Sequence, residues 1–150
     1  MAEVSLPDVD NMIAEIKGAG LNGIIESPVI GHVNAMSISL NFRTLMKEAY
    51  VLLEPRNHQI DLRVAQQTTD SATGAAEVRN VKHVLVIRPK KFTPGKVAPA
   101  TPADASGEYS VSYWATWVDG VKTLEIDIMN FIYVVNGVDY LADVRKALGK

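Results

Sequence analysis

Two carboxylates stand two residues apart in the run Leu124-Glu125-Ile126-Asp127. On an extended strand this spacing places Glu125 and Asp127 on the same face. A pair of carboxylates can perform general acid–base catalysis, but only inside a pocket whose second wall positions a substrate. The intervening residues are apolar, which is typical of a strand with one solvated acidic face. We therefore favour a structural role for this pair over catalysis.

The other reactive residue types do not form a recognisable site. His32, His58 and His83 include no pair at metal-ligand spacing, and the chain has no cysteine to supply a thiolate or a nucleophile. The glycines within residues 18–23 lack the Lys-Ser or Lys-Thr pair of a phosphate-binding loop. No Gly-x-Ser-x-Gly nucleophile elbow occurs. We predict no enzyme activity, no metal and no cofactor.

Length and charge restrict the remaining classes of protein. A chain of 150 residues is long enough for one domain with a buried core, and we expect a single domain over residues 1–150. The net charge of −2 argues against a protein that binds nucleic acid through its phosphate backbone. The longest uninterrupted apolar runs, which include residues 131–135, have five residues and are far shorter than the roughly 20 residues of a membrane-spanning helix, so we predict no membrane insertion.

The acidic strand is predicted to belong to a β-hairpin. Two alternating runs flank Asp119-Gly120, a dipeptide that suits a two-residue turn with positive φ at both central positions. The expected pairs are Val118 with Val121, Thr116 with Thr123, and Ser112 with Asp127. The apolar face then comprises Val111, Tyr113, Ala115, Trp117, Leu124, Ile126 and Ile128. The polar face comprises Ser112, Trp114, Thr116, Thr123, Glu125 and Asp127. We expect Trp117 in the core, and Trp114 as an interface anchor or a stacking platform.

Hydrophobic alternation predicts further strands along the chain. The expected strands cover residues 35–42, residues 60–64 and residues 83–88, the last buried on both faces. Residues 4–17 carry two opposing signals, because Met12, Ile13 and Ile16 have helical spacing whereas Pro7 and its neighbouring Asp residues favour extended chain. Residues 18–23 and 66–75 are expected to form turns.

Two short helices are also predicted. Thr44 is expected to cap the first, which Pro55 ends, and its residues available for burial are Leu45, Met46, Ala49, Leu52 and Leu53. Asp139 is expected to cap the second after the turn Asn136-Gly137, with Gly149 as its stop. Together these elements predict a mainly β fold, an antiparallel barrel or sandwich with two short helices.

Residues 93–107 form the clearest irregular segment. Prolines cannot donate to a strand ladder, so Pro94, Pro99 and Pro102 argue against a central strand here. We predict a long loop that joins two strands of a sheet. The basic residues beside it are Arg88, Lys90, Lys91 and Lys96. They are interpreted as a solvated loop edge, with a phosphate or partner contact as the alternative.

Both ends of the chain resemble the major tail tube protein of contractile-tailed phages and R-type bacteriocins. The first block is Ser5-Leu6-Pro7 followed by Lys17-Gly18-Ala19-Gly20-Leu21-Asn22-Gly23. The second block is Leu124-Glu125-Ile126-Asp127, Asn130-Phe131-Ile132, Val135-Asn136-Gly137-Val138-Asp139 and a short basic helix. Between these blocks the order of elements agrees with that family, although few residues do. The resemblance favours extended chain for residues 4–17. Relatives usually carry a further segment before the Ser-Leu-Pro stretch.

The resemblance implies a structural subunit of a virion tail or phage-like particle, assembled in the bacterial host cytoplasm. Such subunits form hexameric rings that stack into a hollow tube inside a contractile sheath. The implied partners are other copies of the chain, the sheath, baseplate and tape-measure proteins, and DNA only in passage. In such a tube we expect a lumen face of Thr116, Thr123, Glu125 and Asp127, because basic contacts would slow DNA. We expect an assembly loop that includes Pro94, Lys96, Pro99 and Pro102.

The alternative is a monomeric β-barrel binding module for nucleic acid or another small partner. In that interpretation Trp114 would serve as a platform on which a base stacks. Such a site requires basic residues beside the aromatic ring. The predicted neighbours across the turn are Thr123, Glu125 and Asp127, which argue against this alternative.

Overall fold

The computed structural model describes residues 3–44 and 46–149, which form ten strands and two short helices. The elements are β1 Glu3–Ser5, β2 Asn11–Ile16, β3 Ile25–Val33, β4 Met36–Phe42, α1 Lys47–Val51, β5 His58–Thr69, β6 Ala76–Thr93, β7 Ala105–Val118, β8 Val121–Asp127, β9 Ile132–Val135, β10 Val138–Asp139 and α2 Ala142–Ala147. Every strand pair is antiparallel. The mainly β fold with two short helices is therefore confirmed.

The strand β7 lies at the centre of the main sheet. One of its edges pairs with β6, which in turn pairs with β5. The other edge pairs with two different strands, first with β4 along residues 105–111 and then with β8 along residues 113–118. The sheet therefore branches, because β1 extends it beyond β4 while β9 and β10 extend it beyond β8.

The branch point coincides with a β-bulge at Ser112. Val111 pairs with Ile87 and Tyr113 pairs with Val86, so Ser112 is an extra residue with no counterpart on β6. A bulge shifts the alternation of side chains by one position. Before the bulge Val111 points to the core, and after it Trp114 does. The sequence alternation could not reveal this shift, and it exchanges the expected roles of the two tryptophans.

The main core lies on one face of the branched sheet. β4 has the alternating burial that its sequence predicts. Its apolar residues lie beside the glycine, alanine and aromatic positions at the start of β7. The buried cluster comprises Met36, Ile38, Leu40, Phe42, Ala49, Leu85, Ile87, Ala105, Tyr109, Val111, Trp114 and Ile126. Trp114 is only 7% exposed, so the expectation that it forms an interface anchor or stacking platform is wrong.

The hairpin at Asp119-Gly120 is confirmed, but its predicted register holds only next to the turn. Both turn residues have positive φ, and Val118 pairs with Val121 as expected. A second bulge follows at Thr123, since Trp117 pairs with Lys122 and Thr116 with Leu124. Consequently Tyr113, not Ser112, lies opposite Asp127. Within the expected apolar face Ile126 is buried, whereas Trp117 is half-buried and Ile128 is exposed.

The predicted boundaries of several other elements change. The extended amino-terminal segment and the strand at residues 35–42 are confirmed by β1, β2 and β4. The expected turn at residues 66–75 is shorter, because β5 continues to Thr69 and β6 begins at Ala76. The loop expected at residues 93–107 joins two strands as predicted, but it ends where β7 begins at Ala105.

The two helices form without their predicted caps. The amino-terminal cap of α1 is Met46, with no side-chain hydrogen bond, so Thr44 does not cap it. Ala49 of α1 is buried, whereas Met46 and Leu53 are exposed, and Leu45 lies outside the described residues. Asp139 lies before the Leu141 cap of α2 and stabilises the helix through an ion pair with Arg145.

Candidate assembly surfaces

The strands β2 and β3 form a two-stranded sheet of their own, which we call the arm (residues 11–33). All six residues of β2 are exposed, although three of them are large and apolar. At the base of the arm the backbone N–H of Asn34 donates to the Asp10 carbonyl at 2.7 Å. An isolated two-stranded hairpin is marginally stable in water, because it buries too little apolar surface. The arm therefore has the character of a segment that other protein surfaces cover.

The two faces of the arm differ in chemistry. Pairing places Ala14 opposite Ser27 and Ile16 opposite Ile25, so one face carries apolar and small residues. The other face places Glu15 directly opposite Glu26. Like charges directly opposite each other destabilise a strand pair, and Lys17 lies 3.6 Å from the Glu15 carboxylate as a partial counter-charge. We call the face with Ile16 and Ile25 the apolar arm face.

The sheet also presents an unpaired edge. β5 pairs only with β6 in the part of the chain that the structure describes, and it runs for 12 residues. Free strand edges expose backbone donors and acceptors that readily pair with another chain. Beyond Val64 the β5–β6 hairpin continues as a ribbon whose side chains are exposed and mostly polar. This edge offers a second route to association, through backbone hydrogen bonds instead of apolar contacts.

The long loop leaves the sheet between β6 and β7. Its neck is held by the Lys96 N–H, which donates to the Ala103 carbonyl at 3.0 Å. Gly95 has φ +85°, and a side chain there would meet the backbone of Ala103, so this neck requires glycine. The predicted loop residues Pro94, Lys96, Pro99 and Pro102 are all exposed. Val97 is fully exposed directly beyond this neck and offers an apolar side chain to another surface.

The structure separates the residues that were expected on one lumen face. Thr116 is buried on the core side, opposite Leu124 and beside His83, so it cannot line a lumen. Thr123 lies at the bulge and donates to the Thr116 carbonyl. Asp127 accepts hydrogen bonds from the backbone N–H groups of Met129 and Asn130, which gives it a local role in a turn. Glu125 stays on the opposite, polar face.

The polar face around Glu125 is not purely acidic. The Lys122 ammonium forms an ion pair with Glu125, and this hydrogen bond raises the pKa of Lys122. Lys82 and Lys122 both lie over the ring of Trp117, with Nζ at 5.5 and 5.2 Å from its centre. Burial raises the pKa of the Tyr113 hydroxyl on the same face, and the charge of Glu125 raises it further. These cation–π contacts stabilise the Trp117 side chain where it is partly solvated.

An apolar groove of about 470 Å³ separates α2 from the base of the arm. Its walls include the apolar residues Ile126, Ile128, Phe131, Leu141, Val144 and Leu148. Arg145 fixes the helix beside the groove, because it donates to the Phe131 carbonyl at 2.9 Å and pairs with Asp139. The resulting hydrogen bonds lower the pKa of Asp139. Ile128, Val144 and Leu148 remain exposed in the single chain. We call this surface the α2 groove.

The described residues contain no cluster of three or more His, Asp or Glu side chains arranged to hold a metal ion. Within the same ranges, no helix is long and apolar enough to span a membrane. The prominent surfaces are instead an apolar arm, an open strand edge, an exposed loop and an apolar groove. These features define a β-rich assembly subunit, whose extensions are suited to contact with other chains.

Comparison with known proteins identifies the kind of assembly. The sequence profile of the phage tail tube protein FII family matches residues 1–149. The chain is also similar to the tail tube protein of Escherichia phage P2, with 25% identity over 152 residues that cover 97% of this chain and 85% of that protein. The chain therefore belongs to the phage tail tube protein FII family. It is a structural component of a phage tail, as the resemblance at its two ends predicted.

Proposed function

We propose that this subunit forms hexameric rings that stack into the inner tube of a contractile tail, the conduit through which DNA is delivered. The observation that carries the proposal is the arm. Its large apolar residues are exposed on a two-stranded sheet that is marginal by itself. Assembly with neighbouring copies would cover these residues and stabilise the arm. The tail sheath, the baseplate and the tape-measure protein are the further partners of such a tube.

The open edge of β5 supports the same proposal. In a closed ring, edge strands of neighbouring subunits can pair, which removes unpaired backbone groups that would otherwise promote uncontrolled aggregation. The alternative of a monomeric binding module with Trp114 as a stacking platform lacks support, because this ring is buried in the core.

Electron microscopy of the purified chain and of two matched variants tests the proposal. Ile25→Lys places a charge on the apolar arm face, whereas Val121→Lys places one on an exposed position beside the β7–β8 turn, outside the candidate surfaces. We expect rings with six-fold class averages and tubes for the parent and for Val121→Lys. Ile25→Lys should remain a folded monomer with an unchanged thermal midpoint. A parent that stays monomeric at high concentration and after nucleation on a baseplate would contradict the proposed function.

We further propose that Glu125 faces the lumen. Its pairing with Lys122 leaves little net charge at this position, and a nearly neutral wall would neither bind nor strongly repel a sliding polyanion. A Glu125→Cys variant of this cysteine-free chain can be labelled in assembled tubes. In assembled tubes the introduced thiol should react with a small maleimide and not with a polymer-linked maleimide. In disassembled subunits it should react with both reagents. Reaction with both reagents would place the residue outside the tube, and reaction with neither would place it in an interface.

A further inference from the structure

We propose that the apolar arm face of one subunit inserts into the α2 groove of a neighbouring copy. The proposal rests on the proposed tube function and names the contact that would hold adjacent copies together. Both surfaces expose large apolar side chains: Met12, Ile16 and Ile25 on the arm, and Ile128, Val144 and Leu148 at the groove. Joining them would remove both sets from water in a single contact.

The two surfaces match in charge and in size. The apolar arm face carries no charged residue in its paired region, and its charged pair, Glu15 and Glu26, lies on the reverse face. The groove is lined by apolar residues with two titratable exceptions, His32 and Asp127, and Asp127 is already bonded within its own turn. The groove volume of about 470 Å³ lies within the range of pockets that enclose a small apolar ligand, so it can accept several side chains from one face of the arm.

The geometry of the arm excludes its own groove as the docking site. His32 and Val33, at the end of β3, line the groove of the same chain. Ile25 lies at the other end of β3, and a strand rises about 3.3 Å per residue, so its position is roughly 25 Å from that groove. The tip of the arm therefore lies too far from its own groove to fill it, and the groove of a second copy is the remaining site of this kind.

Such a contact propagates from copy to copy. The arm and the groove are different surfaces of one chain, which makes their contact heterologous. Heterologous contacts produce closed rings where the rotation closes and open stacks where it does not. An arm-to-groove contact can therefore build a ring or join one ring to the next.

Disulfide cross-linking in the cysteine-free chain tests this contact. One tagged variant carries Ile16→Cys or Ile25→Cys on the arm, and a second variant with another tag carries Val144→Cys or Leu148→Cys at the groove. The four pairwise mixtures are assembled, oxidised and separated on a denaturing gel. We expect a dimer that contains both tags in at least one mixture, since a disulfide requires Cα atoms within about 7 Å. Val78→Cys replaces the arm cysteine in the control and should give no such dimer.

A second set of variants tests the groove without a cross-link. Leu148→Lys should leave the monomer folded, because this side chain is exposed, and should reduce tube formation at least tenfold in pelleting assays. Normal tube formation by Leu148→Lys would overturn the arm-to-groove contact. So would the absence of a mixed dimer from all four mixtures when tubes have formed. Neither result would contradict the proposed tube function. If Leu148→Cys is protected from maleimide in tubes but forms no cross-link to the arm, another part of the assembly occupies the groove. That result would contradict the arm-to-groove contact. A parent chain that never forms rings or tubes would instead remove the proposed function itself.

Discussion

The indole Nε1 of Trp114 donates a hydrogen bond to Nδ1 of His83 in the core, with 3.3 Å between the two nitrogens. An indole N–H can only donate, so His83 Nδ1 must be without a proton. The Thr116 hydroxyl approaches the same nitrogen at 2.9 Å and acts as a second donor. His83 is therefore neutral in the folded chain, with its proton on Nε2. Burial also lowers the pKa of His83, in agreement with this geometry.

The stability of the subunit should therefore fall with acid in a defined pH range. The pKa of His83 is lowered from its ordinary value of 6.5 on folding, so the unfolded chain binds more protons. The contribution of neutral His83 is complete above about pH 6.5 and is lost as the pH decreases towards the lower folded pKa.

Thermal midpoints of the unassembled subunit at pH 7.5, 6.5 and 5.5 measure this effect. We expect His83→Gln to have a smaller decrease in midpoint across this range than the parent. His32→Gln is the matched control, because His32 is exposed and should leave the parent slope unchanged. Equal slopes for the parent and His83→Gln would show that the Trp114–His83 contact does not govern the acid response.

The two tryptophans should differ strongly in their contribution to folding. Trp114 is buried in the core, so Trp114→Ala should lower the free energy of unfolding by about 3–5 kcal/mol. Trp117 is half-buried and contacts two lysines, and Trp117→Ala should cost roughly 1–2 kcal/mol. Urea denaturation of the unassembled variants gives both values. The opposite order would mean that the hairpin adopts the uninterrupted alternation suggested by the sequence.

The tryptophans also show what the sequence can and cannot predict. Local turn chemistry is reliable: Asp119-Gly120 and Asn136-Gly137 form turns with positive φ at both residues, as expected. Strand alternation is reliable where a strand has no bulge, as in β4. The bulge at Ser112 interrupts the pairing of β7 with β6, and the bulge at Thr123 interrupts the pairing of β7 with β8, so both are features of tertiary strand pairing. No local pattern in the sequence marks these positions.

The candidate surfaces were predictable only in part. The proline-rich loop was found because composition alone marks it as irregular. The arm was missed as a surface, although the apolar spacing of Met12, Ile13 and Ile16 was visible in the sequence. Apolar side chains usually indicate burial within the chain, and only the structure shows that β2 and β3 extend away from the main sheet. The α2 groove combines β8, β9 and α2 with the arm base, so it has no local sequence signal.

Gly107 should be essential for packing at the start of β7. A Cβ atom at this position would lie 2.4 Å from the Tyr109 hydroxyl oxygen and 2.7 Å from its ring carbon Cζ. The Tyr109 ring is buried among core residues, so it cannot turn out into solvent without leaving the core. We expect Gly107→Ala to destabilise the chain by about 1–3 kcal/mol in urea denaturation, as is typical of overpacking. Gly23→Ala is the control, because a Cβ there has open space. Similar midpoints for both variants would show that Tyr109 can relax.

The loop between β6 and β7 should contribute to assembly and not to folding. Val97 is fully exposed, so Val97→Ser should leave the free energy of unfolding within about 0.5 kcal/mol of the parent. Removal of residues 98–101 keeps Gly95, Lys96 and Ala103 at the neck, and the entropy of loop closure changes slowly with length. Both variants should therefore remain folded but form fewer or shorter tubes in pelleting and microscopy assays. If both are folded and assemble at the rate of the parent, the loop has no role in assembly, and the arm and the β5 edge must provide the contacts between copies.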